Sequence, residues 1–272
     1  MTQEIPPLLL VGGGKMGSAM LAGWLDQGAT QIAVVDPSPL ARALAGPRVQ
    51  VWADAAELPS DFRPAAVIFA VKPQAAAGVL PGYRDLAARS LVISIMAGQT
   101  VVGLEELLGP NAVVVRAMPN TPATIRQGIT VATARAASPA QRDLAARLLG
   151  SVGEVVWVHD EGLIDAVTAV SGSGPAYVFL LAECMEQAGI KQGLPPDLAR
   201  RLARQTVTGA GNLLAASSES AEALRRNVTS PGGTTAAALE VLNGVLPAAL
   251  DLAVAAAASR SRELAGGIPA KI

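Results

Sequence analysis

One cysteine, Cys184, and one histidine, His159, occur among 272 residues. A lone cysteine excludes an internal disulfide and a multi-thiolate metal site, and a lone histidine excludes a histidine-based zinc centre, so no metal is expected. Positive charge is not in surplus either. The formal net charge is −1, which leaves nothing to neutralise a phosphate backbone and disfavours a nucleic-acid partner. Clean hydrophobic spans are also missing. Residues 163–182 are apolar but contain Asp165 and the Gly172–Pro175 segment, and residues 241–258 are interrupted by Asn243, Gly244, Pro247 and Asp251. Neither makes an unbroken run of about 20 apolar residues. The first residues carry no basic leader. A cytoplasmic protein without a membrane partner is therefore expected. What is abundant is apolar side chain. Hydrophobic residues make up 51% and charged ones 16%, a balance that argues against disorder. The length suits one large domain or two modest ones.

The first part alternates strand-like and helix-like segments. Strands are expected at 8–11, 31–35, 67–71, 91–95 and 113–115, then at 129–132 and 154–158, with a helix at 16–27. Short buried strands separated by helices indicate a parallel sheet covered on both faces. Beyond His159-Asp160 only helical patterns remain, at 160–189, 195–216, 221–227, 234–242 and 246–265. The expected architecture is an α/β domain over residues 1–161 followed by an all-α domain over 162–272. Several late helices are apolar on more than one face and must be buried. About 110 residues cannot easily bury so many faces alone. A homodimer through these helices solves this; one compact helical domain is the alternative.

Gly12-Gly13-Gly14-Lys15-Met16-Gly17 follows the first strand and opens the first helix. Gly12 permits a tight turn, Gly14 a close approach to a pyrophosphate, and Gly17 close helix–strand packing, while amides at the helix start face the anion. A purely structural glycine turn is the competing reading. Asp36 ends the second strand nineteen residues after Gly17. An acid there accepts hydrogen bonds from the adenosine ribose and repels a 2′-phosphate, which favours NADH. Ser38 and Arg42 lie close by in sequence and leave NADPH open, and an Asp-Pro turn would explain Asp36 without any ligand. Ligands in such sheets bind beyond the carboxyl ends of the strands. That rule places Ala70-Val71-Lys72-Pro73, Ala97-Gly98 and Met118-Pro119-Asn120 at the same crevice. Each is otherwise an ordinary strand-to-helix loop.

Two further motifs stand out. Ser171-Gly172-Ser173-Gly174-Pro175-Ala176-Tyr177 puts glycine and proline inside a helical run, where both cost helix stability. Either it is a packing kink or it lets the backbone approach a ligand. Ser230-Pro231-Gly232-Gly233-Thr234-Thr235 precedes a helix. It reads as a capping loop or as an anion site at a helix N-terminus.

Taken in order, the Gly12–Gly17 loop, Ala70-Val71-Lys72-Pro73-Gln74, Arg116–Ala123, Ser171–Tyr177 and Ser230–Thr235 resemble the pyrroline-5-carboxylate reductase family. The resemblance covers nearly the whole chain, and its last two motifs are the most specific. It implies a Rossmann domain followed by a helical dimerisation domain, and an interlocked homodimer that can assemble further. It implies hydride transfer from NADPH or NADH to the imine carbon of 1-pyrroline-5-carboxylate, giving L-proline in the last step of its biosynthesis. By the same resemblance Ser230, Gly233 and Thr234 hold the substrate carboxylate. The Thr235 hydroxyl bonds the ring nitrogen, and Gly174 and Pro175 lie against the ring. No general base stands out, and reduction of a protonated imine needs little beyond alignment. Departures from the family pattern occur at Lys15, at Ala221 and at Arg226. They put the local loop geometry in question, but not the signature itself.

Two rival readings fit the same layout. A β-hydroxyacid dehydrogenase would need a catalytic lysine in the helical domain, and Lys191 sits in a turn-like Gly-Ile-Lys-Gln-Gly context. A non-catalytic dinucleotide sensor would bind the cofactor and dimerise without turnover.

Overall fold

A computed structural model describes residues 4–266. The chain divides into two compact units. One runs through Gly172 and regains the chain from Ala257; the other is Ser173–Ala256.

The first unit is built on eight strands: β1 Leu8–Val11, β2 Ile32–Val35, β3 Val49–Trp52, β4 Ala66–Phe69, β5 Leu91–Ser94, β6 Val113–Met118, β7 Gly128–Ala134 and β8 Gly153–Trp157. Its helices are α1 Lys15–Asp26, the short α2 Ala76–Val79 and α3 Arg84–Ala87, α4 Val101–Leu108, α5 Pro139–Leu149 and α6 Leu163–Val167. The strand order is β3-β2-β1-β4-β5-β6-β7-β8. Leu8-Leu9-Leu10-Val11 is buried at all four positions, as a central parallel strand covered on both faces must be. Alternation sorts its side chains. Leu8 and Leu10 join Ile32, Val34, Ile68, Trp24 and Leu148 on one face. Leu9 and Val11 join Val35, Phe69, Leu80, Tyr83 and Leu104 on the other. The Trp24 indole N–H donates to the Leu148 carbonyl at 2.8 Å, tying α1 to α5.

Two features depart from the sequence reading. The strand β3 was not expected, because Val49-Gln50-Val51-Trp52 is short and only its first residue is buried. It is an edge strand, half solvated. The sheet is also not wholly parallel: β7 pairs antiparallel with β6, in the register Ala117↔Ala132. The short turn Thr121–Ile125, closed by Arg126 at φ 59°, returns the chain directly, whereas a parallel crossover needs a dozen residues or more.

The last turns of α10, Thr234–Ala265, belong to this unit. Ser261 is buried and its hydroxyl donates to Asp165 Oδ1 on α6 at 2.6 Å. Leu264 lies against Gly98. Ser261→Ala is expected to lower stability by about 1–2 kcal/mol, since it strands a partly buried carboxylate oxygen; a fall in melting temperature of a few degrees checks this.

The second unit holds α7 Gly174–Lys191, α8 Pro196–Ala216, α9 Ala221–Asn227 and the first part of α10. The pattern read as one helix over 160–189 is broken. After α6 the backbone takes a π-type segment, Thr168–Gly172, and α7 restarts with Pro175 in its first turn, where a missing N–H does no harm. Conversely, the interruption expected at 243–245 is absent. The helix α10 runs unbroken for 32 residues with Pro247 inside it; its apolar length outweighs the one ladder bond that proline removes. Glu186 and Arg200 pair at 3.3 Å between α7 and α8.

Helices expected to be buried are exposed in the single chain. Phe179 is 66% exposed, Val241 68% and Leu252 74%. Cys184 is exposed as well. Residues 163–191 and 234–265 are long and apolar enough to cross a membrane by length and composition. They are equally what an unpaired dimerisation surface looks like.

Candidate active site

The nucleotide end is a cleft of about 840 Å³ at the carboxyl ends of β1, β2, β3 and β4. Strands β2 and β4 flank β1 and leave it in opposite directions along the sheet, so this is the topological switch point where open α/β sheets hold ligands. Gly12 adopts φ 100°, and a Cβ there would lie 2.7 Å from the Ala70 carbonyl oxygen. A Cβ on Gly17 would lie 2.2 Å from the Gly12 carbonyl oxygen. These two glycines let strand, loop and helix meet. Gly14 is different: a Cβ there would meet nothing within 4 Å. Its missing side chain opens on the cleft, directly before the first turn of the 12-residue α1. That combination of open backbone and helix N-terminus fits a pyrophosphate.

Of the residues assigned to the cofactor from sequence, Gly12, Gly14, Asp36, Ser38, Ala70, Val71 and Lys72 line the cleft. Lys15 is exposed at the first position of α1, Met16 follows it, and Gly17 packs behind the loop. Pro73 opens the 3-10 turn after Lys72. Ala97 and Gly98 follow β5, with Gly98 at φ 70° against Leu264. Met118 ends β6, and Pro119 is buried. The Asn120 Oδ1 accepts the Ile129 N–H at 3.0 Å, which pins the start of β7.

Asp36 does more than the reading foresaw. One carboxylate oxygen accepts the Gly13 N–H at 2.6 Å and the other the Ser38 N–H at 2.8 Å. It ties the glycine loop to the end of β2. The sequence reading missed Asp54 and Tyr83, which line the same cleft. Recognising β3 would have placed Asp54 there, two residues past the strand end. Burial pushes the Tyr83 phenol above its ordinary pKa, and the negative charge of Asp54 adds to the shift. Tyr83 stands edge-on to Phe69, with centroids 5.4 Å apart.

In the second unit the Ser230–Thr235 segment forms a turn ahead of α10. The Gly233 N–H donates to the Ser230 carbonyl at 3.0 Å, and Gly232 has φ 68°. The first ladder bond after it runs from the Ala237 N–H to the Gly233 carbonyl at 3.2 Å. The amides of Thr234, Thr235 and Ala236 therefore precede the ladder and face outward from the helix start. Among the described residues, no protein group hydrogen-bonds the hydroxyls of Ser230, Thr234 or Thr235. Arg226, the family departure, is exposed and pairs with Glu222 at 3.6 Å; Ser220 caps α9 in front of Ala221. Gly174 and Pro175 open α7, and a Cβ on Gly174 would meet nothing within 4 Å. Lys191 ends α7 and is exposed. His159 is exposed.

A doubly wound sheet with a glycine loop at its switch point, followed by a helical unit, defines a nicotinamide-dinucleotide oxidoreductase of Rossmann type. Residues 8–98 match the family described as NADP oxidoreductase, coenzyme F420-dependent. Residues 161–264 match pyrroline-5-carboxylate reductase dimerisation. A pyrroline-5-carboxylate reductase of Pseudomonas aeruginosa is 43% identical over 268 residues, 96% of this chain and 97% of its own. A solved pyrroline-5-carboxylate reductase from Coxiella burnetii superposes with a TM-score of 0.88 at 34% identity, covering 96% of this chain and 99% of its own. One from Plasmodium falciparum, solved with NADP bound, gives 0.83 at 29% identity over 97% and 99% of the two chains. The chain belongs to the pyrroline-5-carboxylate reductase family.

Proposed function

We propose that this chain reduces 1-pyrroline-5-carboxylate to L-proline with NADPH or NADH, the closing step of proline biosynthesis. The observation that carries the residue assignment is the Ser230–Thr235 turn, with three hydroxyls that have no protein partner among the described residues and three amides ahead of the α10 ladder. A small carboxylate fits such a helix start. In this reading Ser230, Gly233 and Thr234 hold the carboxylate. The Thr235 hydroxyl orients the ring nitrogen or relays its proton, and Gly174 and Pro175 give the ring room. The glycine loop with Lys15, Met16 and Gly17, together with Asp36, Ser38, the 70–73 loop, Ala97-Gly98 and Met118-Pro119-Asn120, positions the dinucleotide. The dinucleotide supplies the hydride; the protein supplies alignment and a fixed anion site. Lys191, exposed at a helix end, gives the hydroxyacid-dehydrogenase reading no support.

Thr235→Ala is expected to lower kcat by about 10²-fold, the usual scale of one positioned proton-handling group, with dinucleotide affinity unchanged by fluorescence titration. Unchanged turnover removes Thr235 from the reaction. Absence of any imine-dependent NAD(P)H oxidation in the parent chain removes the function and leaves the sensor reading.

The helical unit, by the same proposal, pairs with a second copy, and the activity is cytoplasmic. The exposed apolar faces of α7 and α10 then meet protein rather than lipid. The two functional domains divide near residue 161, and dimers can assemble further. Light scattering of the purified chain is expected to give at least twice the chain mass of 27.5 kDa.

A further inference from the structure

Tyr83 closes the 3-10 turn Leu80–Tyr83 that follows α2. Its ring belongs to the core: it is 4% exposed, packs with Leu80 and Leu104, and stands edge-on to Phe69. Packing of that kind asks only for a phenylalanine. The hydroxyl is additional, and among the described residues no protein group hydrogen-bonds it. A buried hydroxyl without a partner carries a desolvation cost. Tyr83 lines the dinucleotide cleft, and its oxygen is not sealed within the protein. The hydrogen bond it can make is therefore directed at what enters the cleft.

The space in front of it suits a flat group. Ala53 and Ala55 follow β3, and Ala75, Gly78 and Gly82 follow β4. Strands β2 and β1 lie between β3 and β4, so the two groups form opposite sides of the cleft. None has a side chain beyond Cβ, and a Cβ added at Gly78 or Gly82 would meet nothing within 4 Å. Sites of this kind hold an apolar group by shape and orient it with a few placed polar atoms. In the proposed function the pyrophosphate lies at Gly14 and the adenosine ribose at the end of β2, which brings the base between these sides.

We propose that the Tyr83 hydroxyl recognises the adenine base of the dinucleotide by hydrogen-bonding its edge. That edge offers ring nitrogens that accept and an amino group that donates. Burial and the charge of Asp54 keep the phenol neutral, so it can donate its proton as well as accept one.

This inference rests on dinucleotide binding at the glycine loop, as the proposed function does, and not on the identity of the imine. Tyr83→Phe keeps the ring against Phe69 and removes only the hydroxyl. Fluorescence titration of the full-length chain is expected to show NADH and NADPH each bound about fivefold more weakly, the scale of one net hydrogen bond. Competition against NADH locates the contact. AMP should also weaken about fivefold, and ribose 5-phosphate, which has no base, should bind parent and variant alike. The unliganded variant should melt at or above the temperature of the parent, because an unpaired buried hydroxyl has been removed. Undiminished NADH affinity overturns the proposal. So does an equal loss on ribose 5-phosphate, which moves the contact to the sugar, and so does a lowered melting temperature, which makes the hydroxyl a part of the packing. If no dinucleotide binds the parent chain, the proposed function fails as well; if the parent reduces the imine and Tyr83→Phe binds NADH as tightly, only the adenine contact fails.

Discussion

Gly17→Ala is expected to abolish dinucleotide binding while leaving most of the sheet folded. The added methyl would sit 2.2 Å from the Gly12 carbonyl oxygen and 3.3 Å from the Ala70 Cβ. Neither neighbour can yield easily. The first is backbone in a turn at φ 100°, and the second belongs to the residue directly after β4. The start of α1 must move outward, and the loop amides move with it. Overpacking of this kind costs about 1–3 kcal/mol. The larger consequence is functional: a displaced amide cradle loses its alignment with the pyrophosphate. Fluorescence titration should show affinity for NADH and NADPH weakened by about 10²-fold or more, equivalent to roughly 2.7 kcal/mol. Gly14→Ala is the control, since a Cβ there meets nothing in the protein. It should fold with unchanged melting temperature and lose affinity only by obstructing the ligand.

Glu161→Ala is expected to destabilise the first unit strongly. Glu161 Oε1 accepts from the Arg116 guanidinium at 2.7 Å and from the Val101 N–H, at the first turn of α4, at 2.8 Å. Arg116 is 4% exposed on β6. Truncating its partner leaves a buried guanidinium unpaired and a helix-start amide without an acceptor. Breaking a buried pair costs about 3–5 kcal/mol. Glu161 itself is only partly buried, so water relieves some of that, and about 3 kcal/mol is expected. Differential scanning calorimetry should register a drop of about 6–12 °C in the transition of the first unit, on the usual 2–4 °C per kcal/mol for this size. Glu161→Gln keeps an acceptor and should lose less than half as much. Arg116→Met combined with Glu161→Leu should recover most of the loss, because replacing a buried pair by apolar groups is often neutral. An equal drop in Glu161→Gln would show that the charge, not the hydrogen bonds, holds the junction.

Much of this was readable along the chain. Leu8–Val11 and Leu91–Ser94 announce themselves because a strand buried on both faces needs an uninterrupted apolar run. The glycine loop is legible because backbone approach restricts residue choice to glycine. The Ser230–Thr235 turn stands out for the same reason, combined with hydroxyls at a helix start. Val49–Trp52 was not legible: an edge strand buries little and its pattern is weak. Asp54 was lost with it. The continuity of α10 through Gly244 and Pro247 was equally hidden, since local propensity there argues for a break.

Local patterning alone settled the alternation of strand and helix, the place of the nucleotide loop and the excess of apolar helical surface, because each depends only on neighbours within a few residues. Three-dimensional packing alone decided that Asp36 clamps the glycine loop, that Asp54 shares its cleft and that Glu161 closes on Arg116 and Val101. Gly13 and Asp36 lie 23 residues apart, and Arg116 and Val101 lie 45 and 60 residues from Glu161. No periodicity spans such separations; only the sheet order brings their strands' ends together.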